Sequence, residues 1–101
     1  MEHNYNYIWQ KLYESMWAIC LGEGSPKDRA FYTLSYIGML KAPITYIPED
    51  AAPHIDKLQG MIDRFVAQGR DAVNDTEVEE YIKEILSAYT WVCHKRGPEH
   101  A

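Results

Sequence analysis

A chain of 101 residues is sufficient for one small domain, and we expect a single domain over residues 1–101. Its net charge of −5 excludes duplex nucleic acid as a partner, because fifteen acidic residues outnumber ten Lys and Arg, although a small anion needs only a few local cations. The sequence contains no secretory leader and no apolar run of about 20 residues, so we expect a cytoplasmic protein with reduced cysteines and no membrane partner.

Aromatic residues make up 13% of the chain and include eight Tyr and three Trp. This is a large number of rings for the core of so small a domain to bury. Amphipathic rings are favoured at subunit interfaces and in ligand pockets. We therefore expect some of these rings to contact a second subunit or a ligand, and a core rich in Tyr is the alternative.

The first predicted helix runs from about Tyr5 to Gly22, which is placed to end it in a left-handed turn. Its apolar residues recur at three- and four-residue steps, the spacing of an amphipathic helix. They are Tyr5, Ile8, Trp9, Leu12, Met16, Ile19 and Cys20. Tyr13 falls at the edge of this stripe, with Trp9 and Trp17 one turn to either side. Such rings can stack on nucleobases, or they can simply face another helix.

The stretch LGEGSPKDRA, residues 21–30, connects the first helix to the second and is called the basic loop below. Ser25 is a favoured N-cap, Pro26 suits the first helical position, and Asp28 has the acidic position of a capping box. The second helix is predicted from Pro26 to about Lys41. Its inner face is expected to use Ala30, Phe31, Leu34, Ile37 and Gly38, with Tyr32, Tyr36 and Met39 on flanking faces.

The basic loop is also a candidate anion site, because a helix N-terminus presents unpaired backbone N–H groups. Gly22 and Gly24 would let a ligand approach the backbone closely. Ser25 offers a hydroxyl, while Lys27 and Arg29 add positive charge. The pattern is neither a dinucleotide fingerprint nor a Walker loop, and a capped helix with two exposed cations explains it as well. Both interpretations, a hinge and an anion site, stay open on this pattern alone.

Two prolines mark the segment KAPITYIPED, residues 41–50, as an extended crossing. Within it ITYI would form a strand only with a partner strand, and none is predicted. The third helix is predicted to begin between Glu49 and Pro53 and to end at Gly69. Its apolar face is expected to contain Ile55, Leu58, Ile62, Phe65 and Val66.

Asn74 and Glu77 have the spacing of a second capping box, which predicts a fourth helix that ends near Lys95 and Arg96. Its apolar face is expected to contain Val78, Tyr81, Ile82, Ile85, Tyr89 and Val92. The predicted fold is therefore all-α, with about four helices and short connections.

Catalytic and metal motifs are missing, so we expect no enzyme activity, no metal and no cofactor. No Ser, His and acid lie together on one element, and the Cys93-His94 pair lacks the spacing of zinc sites. Of the histidines, His3 and His100 lie near the chain ends, and His54 is expected to be exposed in the first turn of the third helix.

The segment YIWQKLYESMWAICLGEGSPKDRAFYTL, residues 7–34, followed by IPED at 47–50, resembles the small phage anti-CBASS sponge proteins. These proteins share a helical hairpin domain with one class of Thoeris anti-defence sponges. The common features are an aromatic first helix with a K-L-Y core, a G-x-G turn, and a basic start to the second helix. The resemblance extends over about residues 5–70.

This resemblance implies a homo-oligomer, a hexamer in that family, in the cytoplasm of an infected bacterium. It would sequester cyclic oligonucleotides made by bacterial immune cyclases without cleaving them. Cyclic dinucleotides would lie in pockets between paired protomers, where by position Tyr13 and Lys27 would hold the bases and phosphates. The candidate ligand-binding residues are Tyr13, Lys27, Ser25, Gly24, Trp9 and Arg29.

The same family can carry a separate cyclic-trinucleotide site, built from basic and hydroxyl residues near the symmetry axes. In this chain Arg29 would contribute to that site together with either Arg64 or Arg70. The sequence does not decide between the two distant arginines.

Two other functions compete with the sponge. One is a helical protein that inhibits a host protein by direct contact through its acidic, aromatic surface. The other is an enzyme that degrades the nucleotide, for which the catalytic groups are missing.

Overall fold

The computed structural model describes residues 5–38, 40 and 49–96, and these residues are almost entirely helical. The helices are α1 (Tyr5–Leu21), α2 (Pro26–Tyr32), α3 (Leu34–Gly38), α4 (Ala52–Gln68) and α5 (Asp75–Arg96), with a 3-10 turn at Arg70–Ala72. No residue in the described ranges belongs to a strand, so the all-α prediction is confirmed. The segment ITYI at 44–47, Met39, His3 and His100 lie outside the described residues.

One apolar core lies between the helices, and α1 packs mainly along α5. The ring of Phe65 is central to it, with centroids 5.9 Å from Phe31 and 5.3 Å from Tyr81. Other buried core residues include Ile8, Leu12, Ala30, Ile37, Ile55, Leu58, Ile85 and Val92. Each predicted helix therefore contributes part of its apolar face, as its periodicity predicts.

The end of α1 differs in detail from the prediction. The backbone N–H of Gly22 donates to the carbonyl of Ala18 at 2.9 Å, which closes the helix after Leu21. The left-handed residue of this turn is Gly24, with a φ of 95°, and not Gly22. Glycine is favoured at position 24 because other residues seldom adopt positive φ.

The capping box that begins α2 is confirmed. The amide of Ser25 donates to Asp28 Oδ2 at 3.0 Å, and the amide of Asp28 donates to Ser25 Oγ at 3.2 Å. Pro26 follows at the first helical position. The sequence SPKD therefore starts the helix through contacts entirely within its own first turn.

The prediction of one continuous second helix to Lys41 is wrong, because the chain breaks at Thr33 and α3 ends at Gly38. The buried hydroxyl of Thr33 lies 2.6 Å from the carbonyl of Ala30 and 2.7 Å from the hydroxyl of Tyr81. Such side-chain bonds compete with the helical backbone pattern. Gly38 is exposed rather than on the inner face, and the buried polar residue at that break is Thr33.

Helix α4 follows its predicted pattern with one exception. Ile55, Leu58, Ile62 and Phe65 are buried, whereas Val66 is 68% exposed. Position 66 is about 100° around the helix from Phe65, which places it outside the buried stripe. Gly69 ends the helix as predicted, with a φ of 85° and its N–H donating to the carbonyl of Phe65 at 3.0 Å.

The second predicted capping box, which precedes α5, is also confirmed. Glu77 N–H donates to Asn74 Oδ1 at 2.8 Å, and Asn74 N–H donates to Glu77 Oε1 at 3.1 Å. Of the predicted apolar face, Ile82 and Tyr89 are half-buried and the other four residues are buried. Neither this helix of 22 residues nor any other helix in the described part of the chain is both long and apolar enough to cross a membrane.

Candidate ligand-binding groove

Three rings of α1 and one of α5 form a surface cluster. Trp9 and Tyr13 stack with centroids 4.8 Å apart and an interplanar angle of 14°, and Trp17 meets Tyr13 edge-on at 6.0 Å. Tyr89 of α5 lies 6.4 Å from both Trp9 and Tyr13. Tyr13 is 37% exposed and Trp17 51% exposed. These rings therefore contact one another and α5, while two of them still present surface to solvent.

A groove of about 500 Å³ opens beside this cluster, between α1 and α3. It is called the aromatic groove below. Its lining consists of Tyr13, Glu14, Trp17, Ala18, Leu21, Gly22 and Tyr36. Small-molecule sites typically have volumes of about 300–1,000 Å³ and combine apolar walls with a few polar groups. The aromatic groove has this size and this kind of wall.

On the other side of the same rings lies a second groove of about 290 Å³. It is lined by Tyr13, Met16, Trp17, Cys20, Leu21 and Tyr89. Tyr13 and Trp17 thus stand as a ridge between two depressions. The thiol of Cys20 is exposed here, although Cys20 belongs to the predicted apolar stripe of α1.

Glu14 supplies an acidic group to the aromatic groove. Its Oε1 atom is out of contact with solvent and accepts no hydrogen bond from any described residue. Lys11 Nζ lies 3.5 Å from that oxygen as an ion pair one turn earlier on α1. The sequence shows that Glu14 directly follows Tyr13. The groove that Glu14 lines, however, forms only where α3 packs beside α1. Sequence reasoning therefore missed both Glu14 and Tyr36.

Lys27 lies apart from the aromatic groove within this chain. Its Nζ donates to the carbonyl oxygen of Arg70 at 3.2 Å, which joins the start of α2 to the 3-10 turn before α5. Lys27 does not line the groove that contains Tyr13. The two residues that the resemblance pairs are thus not brought together in one copy of the chain.

Arg29 reaches back to the end of α1. Its Nε donates to the carbonyl of Gly24 at 3.1 Å, and its Nη1 donates to the carbonyl of Ile19 at 3.4 Å. A cation at this position also compensates the negative end of the α1 dipole. A side chain at position 22 would meet Arg29 Cγ at 3.4 Å, so Arg29 lies next to the Gly22 end of the aromatic groove.

The polar groups of Ser25 and Gly24 already form hydrogen bonds within the basic loop. The Ser25 hydroxyl and the Asp28 carboxylate serve each other's backbone amides, so the chain itself caps the first turn of α2. A side chain on Gly24 would collide with the Asp28 carboxylate. In a single chain the carboxylate of Asp28 therefore lies where the sequence suggested a bound anion.

The arginines proposed for a second site have different surroundings. Arg70 forms an ion pair with Asp28, and its guanidinium lies 5.2 Å from the centroid of the Phe31 ring. Arg64 is exposed on α4. The structure therefore brings Arg70 to the start of α2, on the side of the helix where Lys27 is also bound.

The remaining candidate groups are separate from the groove. His54 is half-buried, with its ring 4.7 Å from that of Trp91, so the expectation of an exposed histidine is corrected. Cys93 is a half-buried thiol. Among the described residues, no three His, Cys, Asp or Glu side chains converge as a metal site would require.

No family model, curated protein or solved structure matches this chain.

Proposed function

We propose that this protein is a viral anti-defence sponge that binds cyclic dinucleotides of the CBASS immune system and holds them without cleaving them. It would act as a homo-oligomer in the cytoplasm of the infected bacterium. The observation that carries this proposal is the aromatic groove, where Tyr13, Trp17 and Tyr36 present rings around a space of about 500 Å³. Flat rings at a groove are suited to stacking on nucleobases.

The required affinity supports an assembly rather than a single chain. A sponge must bind its messenger at nanomolar concentration or below, which corresponds to about −12 kcal/mol. Stacking contributes about 1–3 kcal/mol per base, and an open groove leaves much of the ligand in water. A second copy that covers the groove would double the contacts and exclude that water.

The position of Lys27 fits the same arrangement. In one chain it is bound to the carbonyl of Arg70, away from the groove that contains Tyr13. In a pocket between two copies, we propose that Tyr13 of one copy and Lys27 of the other contact the same ligand. The hydrogen bond to Arg70 is exposed and would exchange readily for a phosphate contact.

The direct test is calorimetric titration with cyclic di-AMP and cyclic di-GMP, followed by denaturation and recovery of the ligand. Nanomolar binding with intact ligand supports the sponge, and time-dependent hydrolysis would support an enzyme instead. Lack of even micromolar binding to either ligand would refute the proposal. Tyr13→Ala is expected to weaken binding at least about tenfold, whereas Tyr32→Ala removes an exposed ring outside the groove and serves as the matched control.

A mixing experiment tests the shared pocket. Tyr13→Ala and Lys27→Ala chains are each expected to bind weakly. After they are unfolded and refolded together, about a quarter of the pockets would combine a native Tyr13 with a native Lys27 from the other copy. Recovery of that fraction of tight sites supports the arrangement. No recovery would place both residues in the same chain's pocket.

A specific observation also favours the competing function, inhibition of a host protein by direct contact. Trp17 is 51% exposed and Leu21 is 65% exposed on the same face of α1, and such apolar surface commonly marks a protein interface. This function predicts a monomer by light scattering and a stable complex with one host protein. A purified oligomer that binds cyclic dinucleotides would exclude it as the main function.

A further inference from the structure

We propose that two copies of this chain pair about a two-fold axis through the apolar face that surrounds the second groove. This apolar face consists of Tyr13, Trp17 and Leu21 of α1 and Leu86 of α5. The inference goes beyond the proposed function, which requires several copies but does not say which surface joins them. The observation that carries it is a ridge and a groove that lie side by side on one uncharged surface.

Exposed apolar side chains are gathered on this face. Four of the six large hydrophobic residues that are exposed in the described part of the chain belong to it. Tyr13, Trp17 and Leu21 follow one another at steps of four residues, which places them along one side of α1. Leu86 is 48% exposed and lies three residues before Tyr89, which lines the second groove from α5. Apolar surface gathered in this way commonly marks a protein interface.

The shape of the apolar face is complementary to itself. The ridge of Tyr13 and Trp17 stands directly beside the second groove of about 290 Å³. A two-fold axis brings the same surface patch of both copies together, so every contact is made twice. A ridge next to a groove suits such an axis, because the ridge of each copy can enter the groove of the other. This property favours a second copy as the occupant.

The charge of the chain favours pairing at this surface. Each copy has a net charge of −5, so two copies repel one another wherever their acidic residues meet. The six described residues that line the second groove are all uncharged. They include Tyr, Trp and Met, residue types that are enriched at protein interfaces, whose cores are depleted of charge. Two copies can therefore approach here without bringing carboxylates together.

The exposed area of the face agrees with what a dimer requires. Side chains of this size expose about 150–250 Å² when free, so the exposed fractions of the four residues correspond to roughly 400 Å² per copy. A stable interface covers about 800 Å² on each partner, of which somewhat more than half is apolar. The four residues therefore supply most of the apolar area that one partner needs.

Pairing at this face would give the aromatic groove a second wall. The ridge of Tyr13 and Trp17 separates the two grooves. A copy seated on the second groove would therefore lie at the edge of the aromatic groove. Small-molecule sites usually bury about 70–90% of their ligand, which a closed pocket between copies provides more readily than an open groove.

The experiment measures the mass of the protein in solution by light scattering, without any nucleotide. The wild type is expected to contain an even number of chains. Leu86→Glu is expected to halve that mass, because each copy would place a carboxylate against the apolar face of the other. Val66→Glu is the matched control, since it adds the same charge at an exposed apolar residue of α4, outside the face. A monomeric wild type, or Leu86→Glu with the wild-type mass, would overturn the proposal.

The thiol of Cys20 reports on the interface directly, because Cys20 is exposed in one chain and lines the second groove. The substitution Cys93→Ser leaves Cys20 as the only thiol. In that background Cys20 is expected to react with dithiobisnitrobenzoate at least about tenfold more slowly than after the further change Leu86→Glu, since a partner would cover it. Equal rates would overturn the proposal.

The two proposals can fail separately. A protein that binds cyclic dinucleotides while Cys20 reacts equally fast in both backgrounds would retain the proposed function and lose this interface. A shielded Cys20 and a halved mass in Leu86→Glu, in a protein that binds no cyclic dinucleotide, would support the interface and refute the sponge.

Discussion

The basic loop and the aromatic groove share Leu21 and Gly22, yet they differ in how much of their surface is bound within the chain. In the loop, Arg29 is bound to backbone carbonyls, and Asp28 is both a cap and the partner of Arg70. In the groove, the Glu14 carboxylate is paired with Lys11, and the rings of Tyr13 and Trp17 remain partly exposed. Charged residues that look functional in the sequence are thus bound within the fold, while two aromatic rings of the groove remain exposed to solvent.

This difference distinguishes residues that contribute to stability from residues that would contribute to ligand binding. Residues of the basic loop stabilise the junction of α1, α2 and the 3-10 turn, so their loss should reduce stability. Exposed rings of the groove contribute little to the core, so under the proposed function their loss should reduce binding and leave the fold intact.

Gly22→Ala is expected to have the largest effect on stability, because position 22 belongs to both the basic loop and the aromatic groove. A Cβ atom there would collide with the carbonyl oxygen of Ala18. We expect the free energy of unfolding to fall by about 3 kcal/mol, measured by urea titration at fixed protein concentration. Gly60→Ala is the control, because a Cβ there meets open space within α4 and should stabilise the helix by up to about 1 kcal/mol. Equal effects of the two substitutions would contradict the crowding at Gly22.

Thr33→Val removes the hydroxyl that fixes the inner end of α2 and leaves the hydroxyl of Tyr81 without its buried partner. The expected loss of unfolding free energy is about 2 kcal/mol, because an unserved buried polar group is costly. Thr90→Val removes an exposed hydroxyl that donates to a helix carbonyl, so it should have little effect. A loss below about 0.5 kcal/mol in Thr33→Val would show that this hydroxyl pair adds little to the fold.

Because the phenol of Tyr81 is buried, we expect the folded protein to lose stability at high pH. Burial raises its pKa above the ordinary value, and the hydrogen bond with Thr33 only partly opposes this shift. The unfolded chain therefore loses the proton first, and stability falls as the pH rises above about 10, by up to about 1.4 kcal/mol per pH unit. Urea titrations between pH 9 and 11 on the wild type and Tyr81→Phe measure this slope. An identical slope in both proteins would assign the effect to other groups.

Substitutions in the two capping boxes test how much each cap contributes to stability. Ser25→Ala and Asn74→Ala should each lower the free energy of unfolding by about 1 kcal/mol, because each removes the acceptor for one first-turn amide. Ser25→Ala should leave cyclic dinucleotide affinity nearly unchanged if its hydroxyl serves only Asp28. A large loss of affinity with normal stability would instead make Ser25 a ligand contact.

Lys27→Met should have the smallest effect on folding, within about 0.5 kcal/mol, because its hydrogen bond to the Arg70 carbonyl is exposed. Under the proposed function it should nevertheless weaken cyclic dinucleotide binding at least about tenfold. Lys83→Met removes another exposed lysine, paired with Glu79 on α5, and is the charge-matched control. If both variants bind equally well, Lys27 is only a structural residue.

Local features could be predicted from the sequence with good accuracy. The capping boxes at Ser25–Asp28 and Asn74–Glu77 form between residues three apart, so their patterns specify them completely. The apolar stripes of α1, α4 and α5 follow helical spacing and largely coincide with the buried residues. The relative positions of Tyr13 and Trp17 also follow from the periodicity of α1.

Features that depend on distant contacts could not be predicted in this way. The break at Thr33 is fixed by Tyr81, which is 48 residues away, and the position of Lys27 is fixed by Arg70, 43 residues away. Tyr36 joins the groove only because α3 turns back against α1. The sequence therefore identified Tyr13 and Trp17 of the candidate site but not Glu14 and Tyr36, which also line the groove.

The pairing of α1 with α5 has a consequence for synthesis of the protein. These are the first and last helices that the structure describes, and the apolar face of α1 lies mainly along α5. A ribosome that adds about 5–20 residues per second would release α1 several seconds before its partner is complete. During that interval Ile8 and Leu12, buried in the finished fold, would remain uncovered. The emerging chain therefore carries uncovered apolar surface until the residues after Asp75 leave the ribosome.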